Sequence, residues 1–431
     1  MSDHKAAFDL SKCARPNILA LEPYRCARDD YKDDGTNILL DANENAYGPA
    51  LELDGEGRLA GNGNGGGEGE IDLLGLNRYP DPHQNDLKQL LCNLRNTHAH
   101  TSKTLTPANL FVGVGSDEAI DALLRCFCAP SRDRILTCPP TYGMYTVSAC
   151  VNDIRVISVP LLAEKDFSLD TQSISNSLSD PSIKIVYLCS PGNPTGTLLP
   201  KKDIVQILQH PTWNGVVVVD EAYIDFAPEG SSLAEWVLEW PNLVVMQTLS
   251  KAFGLAGIRL GAAFTSPEIA RLLNSLKAPY NISSPTSALA QKALQPGSLR
   301  VMEEKRGRII AQRERLVKEL PKIPGIGRFR GGFASNFLLV EMLGKDGEPS
   351  NEVALAVYER LAEERGVVVR FRGKEFGCMG CLRVTVGTEE EVERFLGEIK
   401  IVLGRVRGSG SGKAGGKDEE RKEKEANDVI G

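Results

Sequence analysis

The residues best suited to chemistry lie where apolar runs end. Lys251 sits in "TLSKAFGLAGIRLG" (248–261), after the run "NLVVMQT" (242–248) and ahead of a glycine-rich stretch that closes on Arg259. A lysine amine can condense with an aldehyde. Ser250 and Arg259 both suit a phosphate, and glycines let backbone approach a ligand closely. Asp220 follows four valines in "VVVVDEAYIDF" (216–226). A carboxylate at the end of an apolar strand is costly unless it is paired. A protonated ring nitrogen would be such a partner, and a helix N-terminus capped by the aspartate is the equal alternative. Tyr223, three residues on, can point into the same space.

Three further stretches share this placement. "CSPGNPTGT" (189–197) packs two prolines, two glycines and Asn193 into a rigid turn after the apolar run "IKIVYLC" (183–189). Open α/β sheets bind ligands at the carboxyl ends of their strands, and the Asn193 amide could donate to an oxyanion there. "TCPPTYGMY" (137–145) sets Tyr142 in a proline-rich turn, either as a packed aromatic or as a ring stacked on a planar ligand. "GVGSDEAIDAL" (113–123) is a glycine turn entering a helix, with Ser116 as the expected N-cap and Asp117 in the first turn. Such a helix start offers free N–H groups to a phosphate, and by itself it is equally an ordinary capped helix. Together these residues form the parts list for pyridoxal 5'-phosphate: a lysine for the aldehyde, an acid for the pyridine nitrogen, donors for the ring oxygen and a cup for the phosphate.

The elements that must position them alternate. "IKIVYLC", "GVVVVDEAY" (215–223) and "NLVVMQT" read as strands buried on both faces, separated by helical patterns such as "KKDIVQILQH" (201–210). Strand–helix–strand alternation argues for a parallel α/β sheet. After residue 300 the pattern changes to a long charged helix near 301–320, then "SNFLLVEM", a helix, the strands "VVVRFRG" and "CLRVTVG", and a last helix near 388–403. That reads as a smaller α+β domain. The expected organisation is an arm over 1–80 serving the small domain and a dimer contact, a large domain over 81–298, a small domain over 299–405 and a disordered charged tail over 406–431. A Gly/Asn/Glu-rich loop at 54–70 interrupts the arm.

Bulk properties narrow the function classes. The chain has 431 residues and a formal net charge of −7, which gives no basic footprint for nucleic acid. No apolar stretch is long enough for a membrane span, and "MSDHKAAFDLSKCARP" lacks a signal-peptide core, so the default location is cytoplasmic. Ten cysteines are spread through the chain, mostly in apolar contexts, and read as free thiols. The one C-x-x-C, "CMGC" (378–381), has no second ligand pair, so no metal site is expected.

At this point the motifs carry a resemblance. "SPGNPTG", "DEAYIDF" and "TLSKAFGLAGIRLG" resemble the fold-type I pyridoxal-phosphate-dependent aminotransferases. "DANENAYGP" (41–49), "NRYPDP" (77–82), "GVGSDEAID" and "CLRVTVGT" (381–388) narrow this to the histidinol-phosphate aminotransferase family, over roughly residues 17–405. The resemblance implies a large domain with a mostly parallel sheet flanked by helices. It implies Lys251 as Schiff-base lysine and general base and Asp220 on the pyridine nitrogen. Asn193 and Tyr223 would meet the ring oxygen, with Tyr142 stacked on the ring. Ser250, Arg259 and the amides near Ser116 and Asp117 would hold the phosphate. Tyr79 would reach the cofactor phosphate of the neighbouring subunit, which implies a homodimer with shared sites. Tyr47, Arg370 and Arg383 would bind the substrate anion, with Arg372 the rival for the Arg370 role because the two alternate onto one strand face. The implied reaction is amino transfer between L-histidinol phosphate and 2-oxoglutarate, giving L-glutamate.

Other readings use the same scaffold: an aromatic aminotransferase, a threonine-phosphate decarboxylase or a non-catalytic cofactor-binding regulator. A nicotinamide-nucleotide protein needs G-x-G-x-x-G, and Glu118 stands where the third glycine would be.

Overall fold

A computed structural model describes residues 8–21 and 74–408. Tyr47, the 54–70 loop and residues 409–431 lie outside the described residues. Seven strands form the larger sheet: β1 (Leu110–Val114), β2 (Arg134–Thr137), β3 (Arg155–Ser158), β4 (Ile183–Cys189), β5 (Val216–Asp220), β6 (Leu243–Thr248) and β7 (Leu260–Phe264). Their order is β1-β7-β6-β5-β4-β2-β3. β2, β3, β4, β5 and β6 run parallel, and β7 is antiparallel to both of its neighbours. Helices cover both faces, which is why the central strands are apolar without alternation. Val217 and Val219 enter one core with Leu243 and Val245. Val216 and Val218 enter the opposite core with Val244 and Met246.

Register sets the site. Cys189 pairs with Asp220, and Asp220 with Met246, so β4, β5 and β6 end side by side. The turns that follow them carry Asn193, Tyr223 and Lys251. β2 ends level with Tyr187 of β4 and delivers the turn of Tyr142.

A second sheet lies beyond the long helix Pro296–Glu319. It has β8 (Ile326–Phe329), β9 (Phe337–Met342), β10 (Arg370–Phe371) and β11 (Cys381–Thr385), in the order β10-β11-β9-β8 and antiparallel throughout. It packs with the helices Asn351–Arg365 and Glu389–Gly408 around its own core. Residue 299, the expected start of the small domain, falls in the first turn of the long helix.

Three expectations need correction. The charged tail was placed from 406, but residues 406–408 complete the last helix, Glu389–Gly408. The described part of the N-terminal arm packs on the large sheet rather than on the small one. Cys13, Ala14 and Ile18 join the core of Ile120, Leu124 and Ile269, and Arg15 donates from Nη1 to the Arg125 carbonyl at 2.9 Å. Finally, "VVVRFRG" forms only the two-residue β10.

One buried cation in this framework gives a pH signature. Lys88, in the helix Asn85–Arg95, is 6% exposed, and its Nζ meets Asn274 Oδ1 at 3.2 Å. Burial, aided by the nearby Lys277 charge, pushes its ammonium from 10.5 down to about 8. Between those values the unfolded chain binds the extra proton, so this group's contribution to stability rises with pH, by about 3 kcal/mol at most. Denaturant unfolding of wild type and Lys88→Met should therefore show the variant's relative stability greatest below pH 8 and declining toward pH 10. Parallel stability curves would contradict this.

Candidate active site

A cavity of about 640 Å³ opens over the carboxyl ends of β2, β4, β5 and β6 and is closed on one side by β10, β11 and the turn between them. Its walls include Ser116, Asp117, Tyr142, Asn193, Asp220, Tyr223, Ser250, Lys251, Arg259, Arg370, Arg372 and Arg383. All the site residues expected from sequence are therefore gathered in one space except two. Tyr47 is outside the described residues. Tyr79 does not line this cavity; it is exposed and stacks on Tyr280 with ring centroids 4.5 Å apart.

Asp220 anchors the site. It ends a strand of four fully buried valines and is itself only 3% exposed. Tyr145 donates to its Oδ2 at 2.7 Å and the Ala222 N–H to its Oδ1 at 3.1 Å. Burial raises its pKa, and these two donors oppose the rise without cancelling it. A cation at the cavity wall would complete its pairing, which is what a protonated pyridine nitrogen supplies. Asp220 caps no helix, so the alternative reading of this residue fails.

Beside it, the β4 turn fixes Asn193, whose Oδ1 accepts from Arg383 Nη1 at 2.6 Å. Tyr223 holds its ring edge-on to Phe337 of β9 at 5.1 Å. The Lys251 Nζ stands 5.6 Å from the Tyr223 ring centroid, and the Arg383 guanidinium is 5.3 Å from the Phe337 ring. Burial lowers the Lys251 pKa, and the Arg383 and Arg259 charges lower it further. A lysine held this way is neutral, and so nucleophilic and basic, at a lower pH than an ordinary one. Burial pushes the Tyr223 phenol up to about 12, so it remains a donor.

The other end of the cavity suits a phosphate. The helix Gly115–Phe127 starts there, and its cap differs from expectation. Val114 holds the N-cap position, and Glu118 reaches back to accept the Val114 N–H at 2.5 Å. Ser116 thus lies in the first turn, and its hydroxyl has no hydrogen-bond partner among the described residues. Glycine is required at two places. Gly115 has φ +69°, and a Cβ there would meet Arg259 Nη2 at 2.6 Å; a Cβ on Gly261 would meet Gly115 and Ser116 backbone at 2.4 Å. Thr248 Oγ1 accepts the Ser250 N–H at 3.1 Å and lies 2.9 Å from Ser250 Oγ. Arg259 reaches Asp117 at 3.4 Å. Free amides, hydroxyls and a guanidinium around a space that no side chain fills make a phosphate cup. The chain's residues therefore fit pyridoxal phosphate at both ends.

Tyr142 lines the cavity and donates to Asp117 Oδ1 at 3.1 Å. β10 and β11 place Arg370 opposite Arg383. Sequence reasoning missed Tyr145, Thr248 and Glu375. Tyr145 lies in the same "TYGMY" as Tyr142, and a second tyrosine three residues after it, at the start of the helix Met144–Val151, was the available signal. Thr248 carried none beyond its place at a strand end.

Comparison with known proteins follows the same lines. A family model for aminotransferases of class I and II matches residues 38–399. The chain is 53% identical over 399 residues to the histidinol-phosphate aminotransferase of Schizosaccharomyces pombe, covering 92% of this chain and 98% of that one. It is 47% identical over 405 residues to the enzyme of the same name from Saccharomyces cerevisiae, with 92% and 98% covered. Among solved structures, the histidinol-phosphate aminotransferase of Sinorhizobium meliloti in complex with pyridoxal-5'-phosphate matches with a TM-score of 0.66 at 23% identity, over 90% of this chain and 97% of that one. That last likeness speaks for the fold.

Replacing Tyr145 by Phe leaves Asp220 with a single backbone donor in a buried setting. Titration of the apoprotein with pyridoxal phosphate should show affinity reduced about tenfold, the cost of one lost hydrogen bond to a charged group. Unchanged affinity would mean that Tyr145 does not hold the Asp220 charge.

Proposed function

The chain belongs to the class I and II aminotransferases and, within them, to the histidinol-phosphate aminotransferases; from that membership and the site's geometry we propose that it transfers the amino group of L-histidinol phosphate to 2-oxoglutarate, giving imidazole-acetol phosphate and L-glutamate as a step of histidine biosynthesis. The observation that carries this reading is the single cavity in which Lys251 and the buried Asp220 share walls with the cross-strand pair Arg370 and Arg383. The cofactor is pyridoxal phosphate. When bound, it supplies an aldehyde that takes up the amino group and a pyridine ring that draws off an electron pair.

The remaining work falls to this chain's residues. Asp220 would meet the ring nitrogen and keep its proton in place. Asn193 and Tyr223 would donate to the ring oxygen, and Tyr142 would pack on the ring. Ser250, Arg259 and the amides at Ser116 and Asp117 would hold the cofactor phosphate. Lys251 Nζ takes the proton from the substrate carbon that bears the amine, and its lowered pKa leaves it free to do so. The same nitrogen would hand that proton on before the keto product leaves, and the acceptor half-reaction would run these transfers in reverse, which makes the kinetics ping-pong.

The substrate end is read from charge. L-histidinol phosphate carries a phosphomonoester where an amino acid carries its carboxylate, and a dianion is better met by two guanidiniums than by one. Arg370 forms no hydrogen bond or ion pair among the described residues, whereas Arg372 is bonded to Glu375 at 2.7 Å, so Arg370 rather than Arg372 is the partner of Arg383. From the family membership we infer that Tyr47 would add to the phosphate contacts. We also infer a homodimer in which Tyr79 reaches the neighbouring subunit's cofactor phosphate. The domain division at 81–298 and 299–405 and a cytoplasmic location belong to the same reading. No helix among the described residues is long and apolar enough to cross a membrane.

Steady-state assays of three variants test the scheme. Lys251→Ala should lose turnover by several orders of magnitude while still binding pyridoxal phosphate non-covalently. Arg383→Ala should raise KM for both the phosphorylated donor and the keto acid, and Arg370→Ala mainly for the donor, each by about tenfold or more for a lost charge-assisted contact. Equal losses from the two arginine variants would contradict the division of roles, and an active Lys251→Ala would overturn the mechanism.

A further inference from the structure

Three guanidiniums line one wall of the cavity, from Arg370, Arg372 and Arg383, and one carboxylate lines it with them, from Glu375. Arg383 feels the charges of both other arginines and of Glu375. Glu375 Oε1 accepts from Arg372 Nη1 at 2.7 Å, and the two side chains are only about one-quarter exposed, at 26% and 25%. The contact is end-on: Glu375 Oε2 and Arg372 Nε are buried and have no hydrogen-bond partner among the described residues. Three cations against one anion leave two net positive charges, with Arg372 held by the carboxylate and Arg370 and Arg383 available.

We propose that Glu375 is a specificity-determining residue, an internal counter-ion that withholds Arg372 so that the wall presents two cations to the substrate anion. Resting on the reading of the donor as a phosphomonoester, this matches the site to one phosphate dianion. It also keeps the wall weak enough to let phosphorylated product leave and the keto acid's carboxylate enter. A third free guanidinium would hold phosphate more tightly and favour it further over a carboxylate.

The test is titration of the cofactor-loaded enzyme with inorganic phosphate at pH 8, where phosphate is mostly doubly charged and the cofactor's own phosphate cup is filled. Glu375→Gln should bind phosphate at least about fivefold more tightly than wild type, with a lower KM for L-histidinol phosphate and a smaller change for 2-oxoglutarate. Arg372→Gln alone should bind phosphate more weakly, because Glu375 is then left unpaired beside the anion. The double variant should return to within about twofold of wild type. If Glu375→Gln does not retain the cofactor's absorbance, Glu375→Ser carries the same expectation. Unchanged or weaker phosphate binding on loss of Glu375 would overturn the proposal, since a merely structural ion pair loosens the wall whichever partner is removed. Tightening that persists in the double variant would overturn it too, because Arg372 would then have no part. The titration needs no turnover. If wild type ignores L-histidinol phosphate, the reading of the donor fails while the phosphate pattern still decides the role of Glu375.

Discussion

The structure depends on one unfavourable placement, a carboxylate at the end of a strand that is apolar on both faces. Asp220 gives up water to stand there, and burial raises its pKa. Tyr145 and the Ala222 N–H restore part of what solvation supplied. The Lys251 charge acts in the same direction, and a protonated pyridine ring at the cavity wall would add to it. The neighbouring Glu221 points the other way and meets the same cost differently. It accepts from Ser232, Leu233 and Gln247, and burial still raises it to about 6. Two adjacent acids are thus buried on opposite sides of β5, one satisfied by protein and one left for a ligand.

A second constraint joins the two sheets at the reacting centre. Arg383 leaves β11 to donate to Asn193 in the β4 turn. Its guanidinium also faces Phe337, which meets Tyr223, whose ring lies near Lys251. The arginine assigned to the substrate is therefore in contact with the residues assigned to the cofactor ring. Arg383 has five N–H donors, so an anion at this wall would share the guanidinium with Asn193.

Much of this was legible in the sequence because strand ends announce themselves. Four valines before Asp220 and the apolar runs before Asn193 and Lys251 marked β4, β5 and β6, and parallel register brought their turns together. What was hidden depends on tertiary direction. Tyr145 reads as one more helical aromatic until the fold aims it at Asp220. Ser116 looked like a cap, but Glu118 takes the Val114 N–H and leaves the serine hydroxyl unspent. Arg370 and Arg372, expected on one strand face, both line the cavity, and only the structure shows that Glu375 occupies one of them. The short apolar pattern from Cys13 to Ile18 did not indicate which buried face it would join, and the structure places it in a core of the large sheet.

The central claim is that Lys251 and Asp220 operate a cofactor site whose amino donor is L-histidinol phosphate. An absorbance spectrum of the purified, cofactor-loaded protein, taken before and after adding L-histidinol phosphate with no keto acid present, tests it most directly. The account predicts a band from cofactor joined to Lys251 that is replaced, on adding the donor, by that of pyridoxamine phosphate. A band that forms but ignores L-histidinol phosphate would contradict the assignment of the donor, and failure to form any band with added pyridoxal phosphate would contradict the roles given to Lys251 and Asp220.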